Sequence, residues 1–191
     1  GSLPSLTKEF SPMQTRPDTP TRLTLKITNN ESVPITLTAN LVDTLTAVPA
    51  QMVVAPVPNV TTTNGIAVIA VGGATNFFIP AGQVLLPGTT QVSLDVIVPR
   101  DGIYCNTIAV GALQTTACNN VEEAKACLMV SSNFLTPPIV SKSFSPIIID
   151  VNQTSLLTLK VENKNTSVMT LNQDFTDYLP PGLKLAGVPT T

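Results

Sequence analysis

The chain has no histidine and no tryptophan in 191 residues. Without histidine, most zinc sites, every Ser-His-Asp or Cys-His arrangement and the commonest general base are excluded. Charge is also sparse, at 12% of residues, and the ten Lys and Arg are scattered singly against twelve Asp and Glu for a net of −2. Affinity for nucleic acid needs a positive stripe to neutralise phosphates, so no nucleic-acid partner is expected. The composition is 43% apolar, yet no apolar run approaches the ~18 residues of a membrane helix, so no membrane insertion is expected. The longest runs, such as Gly65 to Val71, have strand length, and no amphipathic helix longer than a turn or two is visible. Gly1-Ser2 reads as a cloning remnant.

What the chain does have is an internal duplication. Lys8-Glu9-Phe10-Ser11-Pro12, then Leu23-Thr24-Leu25-Lys26 and Asn29, return as Lys142-Ser143-Phe144-Ser145-Pro146, then Leu157-Thr158-Leu159-Lys160 and Asn163. The register continues through Asp43-Thr44-Leu45 and Asp177-Tyr178-Leu179. A fixed repeat is the signature of strung or stacked domains. The expected organisation is a complete module over residues 6–131, a Pro-rich linker over 132–138, and the truncated start of a second module over 139–191.

Strand signals dominate. Leu23, Leu25 and Ile27 alternate with Thr24, Lys26 and Thr28, and Val33, Ile35, Leu37, Ala39 and Leu41 read as the partner strand, with Pro34 marking an edge. A hairpin around Val71-Gly72-Gly73-Ala74 joins 66–70 to 76–79. Further strands are expected at 92–98, 103–110 and 124–130, with Pro99-Arg100-Asp101-Gly102 as a turn. Many short strands from a helix-poor sequence argue for an all-β fold, an antiparallel β-sandwich.

The order Lys-x-Phe-Ser-Pro (8–12), Asn29-Asn30, Asp43-Thr44-Leu45, Ile79-Pro80-Ala81-Gly82, Asp101-Gly102-Ile103-Tyr104, Asn106-Thr107-Ile108 and Gly111-Ala112-Leu113-Gln114-Thr115 resembles the bacterial conserved repeat domain of unknown function. That resemblance implies immunoglobulin-like modules in tandem on secreted, cell-wall or outer-surface proteins, and no catalytic residues to carry over. Cys105, Cys118 and Cys127 depart from it, standing where small polar residues or Gly are expected.

Inward faces assigned by alternation put Tyr104, Ile108 and Val110 inside on one strand and Ala124, Ala126, Leu128 and Val130 on the next. Cys105 and Cys127 then point outward from adjacent strands, and direct pairing would bring them within disulfide reach. A Cys118–Cys127 bridge and three reduced thiols remain as alternatives, with Cys118 the exposed candidate for a free or intermolecular thiol. Tyr104 after Asp101-Gly102 reads as a tyrosine corner. Asp43 and its repeat Asp177 read as structural caps of backbone donors. No stretch offers clustered oxygen ligands, so neither metal nor cofactor is expected.

One covalent alternative rests on Lys8 and Asn106. A buried Lys can attack an Asn side chain beside a protonated acid, which would leave the protein lighter by one ammonia. The plainer reading is a solvated Lys8 and an Asn106 satisfying backbone groups.

The expectation is therefore a non-enzymatic structural or adhesive module, a spacer or stalk, extracellular at a bacterial cell surface or associated with an outer membrane. Its partners would be adjacent modules, and a second copy of the chain through the truncated module, whose two or three strands are marginal alone. The alternative is a binding module for carbohydrate or a host protein, using residues 46–78 with Phe77 and Phe78 as the candidate surface, of which period 2 would bury one.

Overall fold

Period-2 alternation of Leu, Ile and Val with Thr and Lys shapes every long element, because successive strand side chains face opposite sides. The computed structural model describes residues 2–187; Gly1 of the expected remnant and 188–191 at the end of the second copy lie outside them. Among the described residues there are strands and no helix. In chain order they are β1 (Ser5–Ser11), β2 (Gln14–Thr15), β3 (Thr21–Asn29), β4 (Ile35–Thr36), β5 (Leu41–Thr44), β6 (Val53–Val54) and β7 (Thr61–Thr62). Then come β8 (Asn76–Ile79), β9 (Val84–Leu85), β10 (Gly88–Ile97), β11 (Gly102–Ile108), β12 (Ala124–Val130), β13 (Ile139–Ser145) and β14 (Leu156–Glu162).

The contacts divide the chain between Phe134 and Leu135 into two compact units. In the first, one sheet runs β1-β3-β10-β6 with β7 also on β10, a second runs β11-β12-β2, and β4-β9 and β5-β8 form short pairs. Pairing is antiparallel except between β12 and β2. Inward residues of all these pairs share one apolar core, including Phe10, Leu23, Leu41, Phe77, Leu85, Leu94, Tyr104 and Leu128.

The expected single strand over 33–41 does not form beside β3. β3 is flanked instead by β1 and β10, and the 33–41 stretch breaks into β4, an isolated bridge from Leu37 to Thr115, and β5. Pro34 and the bend at 38–40 let the chain change partners twice, so its apolar residues reach the same core from different sheets. Val110, expected inside, is exposed, because β11 stops at Ile108 and the chain turns at Gly111. The hairpin over 66–79 reduces to a two-way backbone bridge between Ile69 and Phe78.

The second unit contains the antiparallel pair β13-β14. Its register repeats that of β1-β3: Lys8 lies opposite Leu25, and Lys142 opposite Leu159. The turn chemistry repeats as well. Asn29 holds the Val33 carbonyl and the Glu31 N–H, and Asn163 holds the Ser167 carbonyl and the Asn165 N–H. Thr21 donates to the Pro12 carbonyl, and Ser155 to that of Pro146. Asp18 and Asn152 both take a left-handed backbone, φ 56° and 68°.

Candidate functional site

Three polar side chains sit where alternation places core residues. Lys8 lies between buried Leu6 and Phe10 on β1, Asp43 between buried Leu41 and Leu45 at β5, and Asn106 between buried Tyr104 and Ile108 on β11. Their cross-strand neighbours are Leu25, Phe77 and Ala126. Apolar residues therefore flank each one along its strand and across the ladder. The three strands belong to three different sheets, which converge on one point in the core.

At that point Lys8 Nζ approaches Asp43 Oδ2 to 2.6 Å, with side-chain exposures of 0% and 1%. Asn106 Nδ2 donates to the other oxygen, Asp43 Oδ1, at 2.7 Å. The Lys8–Asp43 approach is close but poorly angled, so both Nζ and Oδ2 are buried without a partner of hydrogen-bond geometry. Burial pushes the Lys8 amine below the ordinary lysine value of 10.5, while the charge and contact of Asp43 pull it partly back. Loss of water is the stronger influence, as expected for a lysine sealed in an apolar core.

These positions correct three expectations. Lys8 is not solvated, Asp43 does not cap backbone donors, and Asn106 bonds a carboxylate instead of the backbone. Asp177, also expected to cap, pairs with Lys142 at 2.7 Å, but there the side chains are 38% and 25% exposed. The signal for the buried cluster was present as parity, since each residue sits two positions from apolar residues facing inward. Parity cannot say that three strands of separate sheets meet.

Beside the cluster, Cys105 and Cys127 are direct cross-strand partners and are joined by a disulfide, S–S 2.03 Å. Cys118 is free and half-buried, not exposed as expected, within a loop whose Thr115 hydroxyl receives the Ala117 and Cys118 N–H groups and donates to the Cys118 carbonyl. The Tyr104 hydroxyl donates to the Arg100 carbonyl at 2.7 Å from a fully buried ring. That turn is tight: Gly102 has φ +148°, and a Cβ there would lie 2.4 Å from Pro49 Cγ.

Phe77 is 1% exposed and Phe78 half-buried, so of the two candidate surface rings Phe77 is the buried one. Asn76–Ile79 is a strand, and period 2 turns Phe77 into the core. In the second unit a groove of about 450 Å³ is lined by Phe144, Leu157, Leu179 and Leu183 among others. Phe144 and Leu157 repeat the core residues Phe10 and Leu23, so the groove is a core-type face left open. Among the described residues no cluster of three or more His, Cys, Asp or Glu could hold a metal ion.

No curated protein matches the chain. The family described as Domain of unknown function (DUF7933) matches it twice, at residues 4–130 and 138–191, and the chain belongs to that family.

Proposed function

We propose that the chain is a non-catalytic structural or adhesive repeat of a bacterial cell-surface or secreted protein, an immunoglobulin-like sandwich serving as spacer or stalk. The observation that carries this reading is the in-register recurrence of one hairpin, with its turn bonds and its Lys–Asp pair, in two successive units. A repeated scaffold with no repeated open site among the described residues suits extension better than recognition. The Cys105–Cys127 disulfide is compatible with an oxidising, extracellular setting. Neighbouring modules of the same protein would be its regular partners, and a second copy could complete the open face of the second unit.

The second reading, a binding module, would use the 46–78 stretch, where Val48, Val57 and Val71 are 73%, 68% and 63% exposed. An array of glycans and matrix proteins separates the two readings. A spacer gives no saturable binding; saturable binding abolished by Val57→Asp or Val71→Asp would replace it with the second reading.

A further inference from the structure

We propose that the first unit forms an intramolecular amide cross-link from Lys8 Nζ to Asn106 Cγ, with Asp43 as the group that moves the proton. The carboxylate touches both nitrogens that change bonding: Nζ, which would form the new bond, at 2.6 Å, and Nδ2, which would leave, at 2.7 Å. Holding amine and carboxamide on the two oxygens of one rigid group makes their encounter intramolecular, a large aid to a reaction between weak partners.

As a permanent ion pair the cluster is poorly built. An ammonium carries three N–H donors, yet Lys8 Nζ has no partner of hydrogen-bond geometry and no access to water. A charged group sealed in that state is costly, and passing its proton to the adjacent carboxylate removes both charges at once. The lowered basicity of Lys8 acts in the same direction. The dry pocket thus favours the neutral amine, which is the nucleophilic form.

The step balances without any co-reactant. Asp43 takes one proton from the Lys8 ammonium, freeing the Nζ lone pair, which attacks Asn106 Cγ. The carbonyl electrons move onto oxygen. Asp43 delivers its proton to Nδ2 and accepts the surplus proton from Nζ. The Cγ–Nδ2 bond breaks, the carbonyl reforms and ammonia departs; as ammonium it takes the last proton and leaves Asp43 ionised as at the start. The product is a secondary amide joining β1 to β11, and therefore two sheets. In the second unit Lys142 and Asp177 form the same pair in a half-exposed setting, and among the described residues no asparagine is bonded to Asp177. One ammonia, not two, is lost per chain.

Intact mass spectrometry of the purified chain, followed by a peptide map, tests this whatever the module binds. The expected result is a mass lower than that of the oxidised sequence by one ammonia, with a linked pair of peptides containing Lys8 and Asn106. Asp43→Asn and Lys8→Met should restore the missing ammonia. The full unmodified mass would overturn the proposal. So would an ammonia loss mapped to a single peptide, as in a succinimide. An Asp43→Asn protein that still forms the linked peptides would remove Asp43 from the chemistry. If both variants fail to fold, the mass and map of the unsubstituted chain decide alone.

Discussion

Cys105 and Asn106, neighbours on β11, face opposite sides of it: Asn106 is buried on Asp43, and Cys105 turns outward into the disulfide with Cys127. With the proposed amide in place, a covalent path runs from Lys8 to Asn106, through one peptide bond to Cys105, and across to Cys127. Tension entering at β1 and leaving at β12 would then bypass almost the whole first unit.

Pulling single molecules by their ends should show it. At about 3.4 Å per extended residue, freeing the stretch between residues 8 and 106 releases roughly 330 Å. Asn106→Ala should gain that extension on unfolding, and reduction of the unsubstituted chain should gain only the shorter 105–127 segment, roughly 75 Å. Equal extension of the unsubstituted chain and Asn106→Ala would show that no cross-link carries the force.

The two Lys–Asp pairs should differ sharply in worth. In an Asn106→Ala background, where Lys8 stays unlinked, Asp43→Ala strands a lysine in an apolar core, and removing one partner of a buried pair costs about 3–5 kcal/mol. Asp177→Ala breaks a half-exposed pair, worth about 0–1 kcal/mol. Denaturant unfolding of the two variants measures both, and equal losses would contradict the burial contrast.

A distinct pH response is expected where Lys8 stays unlinked, as in Asn106→Ala. Its amine is pushed below 10.5 in the folded state, while the unfolded lysine keeps the ordinary value. Between those two values the unfolded state binds more protons, so stability rises with pH through that window and levels off above 10.5. Thermal melts of Asn106→Ala and of Lys8→Met/Asn106→Ala across alkaline pH isolate the effect, since other groups cancel. The unsubstituted chain, with Lys8 in an amide, should lack this rise.

Phe77→Ala should cost about 3–5 kcal/mol by emptying a core position, and Tyr104→Phe about 1 kcal/mol by removing the bond to the Arg100 carbonyl. Chemical denaturation checks each. A Phe77→Ala protein of undiminished stability would reopen a surface role for that ring.

Amide exchange should be far faster in β13 and β14 than in β3 and β10. A lone strand pair is marginal in water, and Leu159 is 41% exposed where its counterpart Leu25 is 1% exposed. Equal protection would mean that something covers the open face, and its disappearance on dilution would identify a second copy of the chain.

Much of the fold was legible because strand parity is a local property. Leu23, Leu25 and Ile27, the turn before Tyr104, and the outward pairing of Cys105 with Cys127 follow from alternation and turn chemistry over short stretches. The misreadings are non-local. The 33–41 stretch alternates well, but bends and bridging partners elsewhere divide it between sheets. Phe77 and Phe78 could be ranked only once β8 was known to start at Asn76.

The sequence by itself determined the repeat, the all-β class and the absence of histidine chemistry. These follow from composition and from a period of two, which need no knowledge of distant partners. Only the tertiary structure decided that Lys8, Asp43 and Asn106 meet, because their contact depends on how three sheets close over one core. The same residue pair, Lys142 and Asp177, is a half-exposed ion pair in the second unit. The same pair is dry and poorly satisfied in one unit and partly exposed in the other, where Asp177 Oδ2 alone is buried without a partner, since burial is a property of the packed sheets and not of the residues.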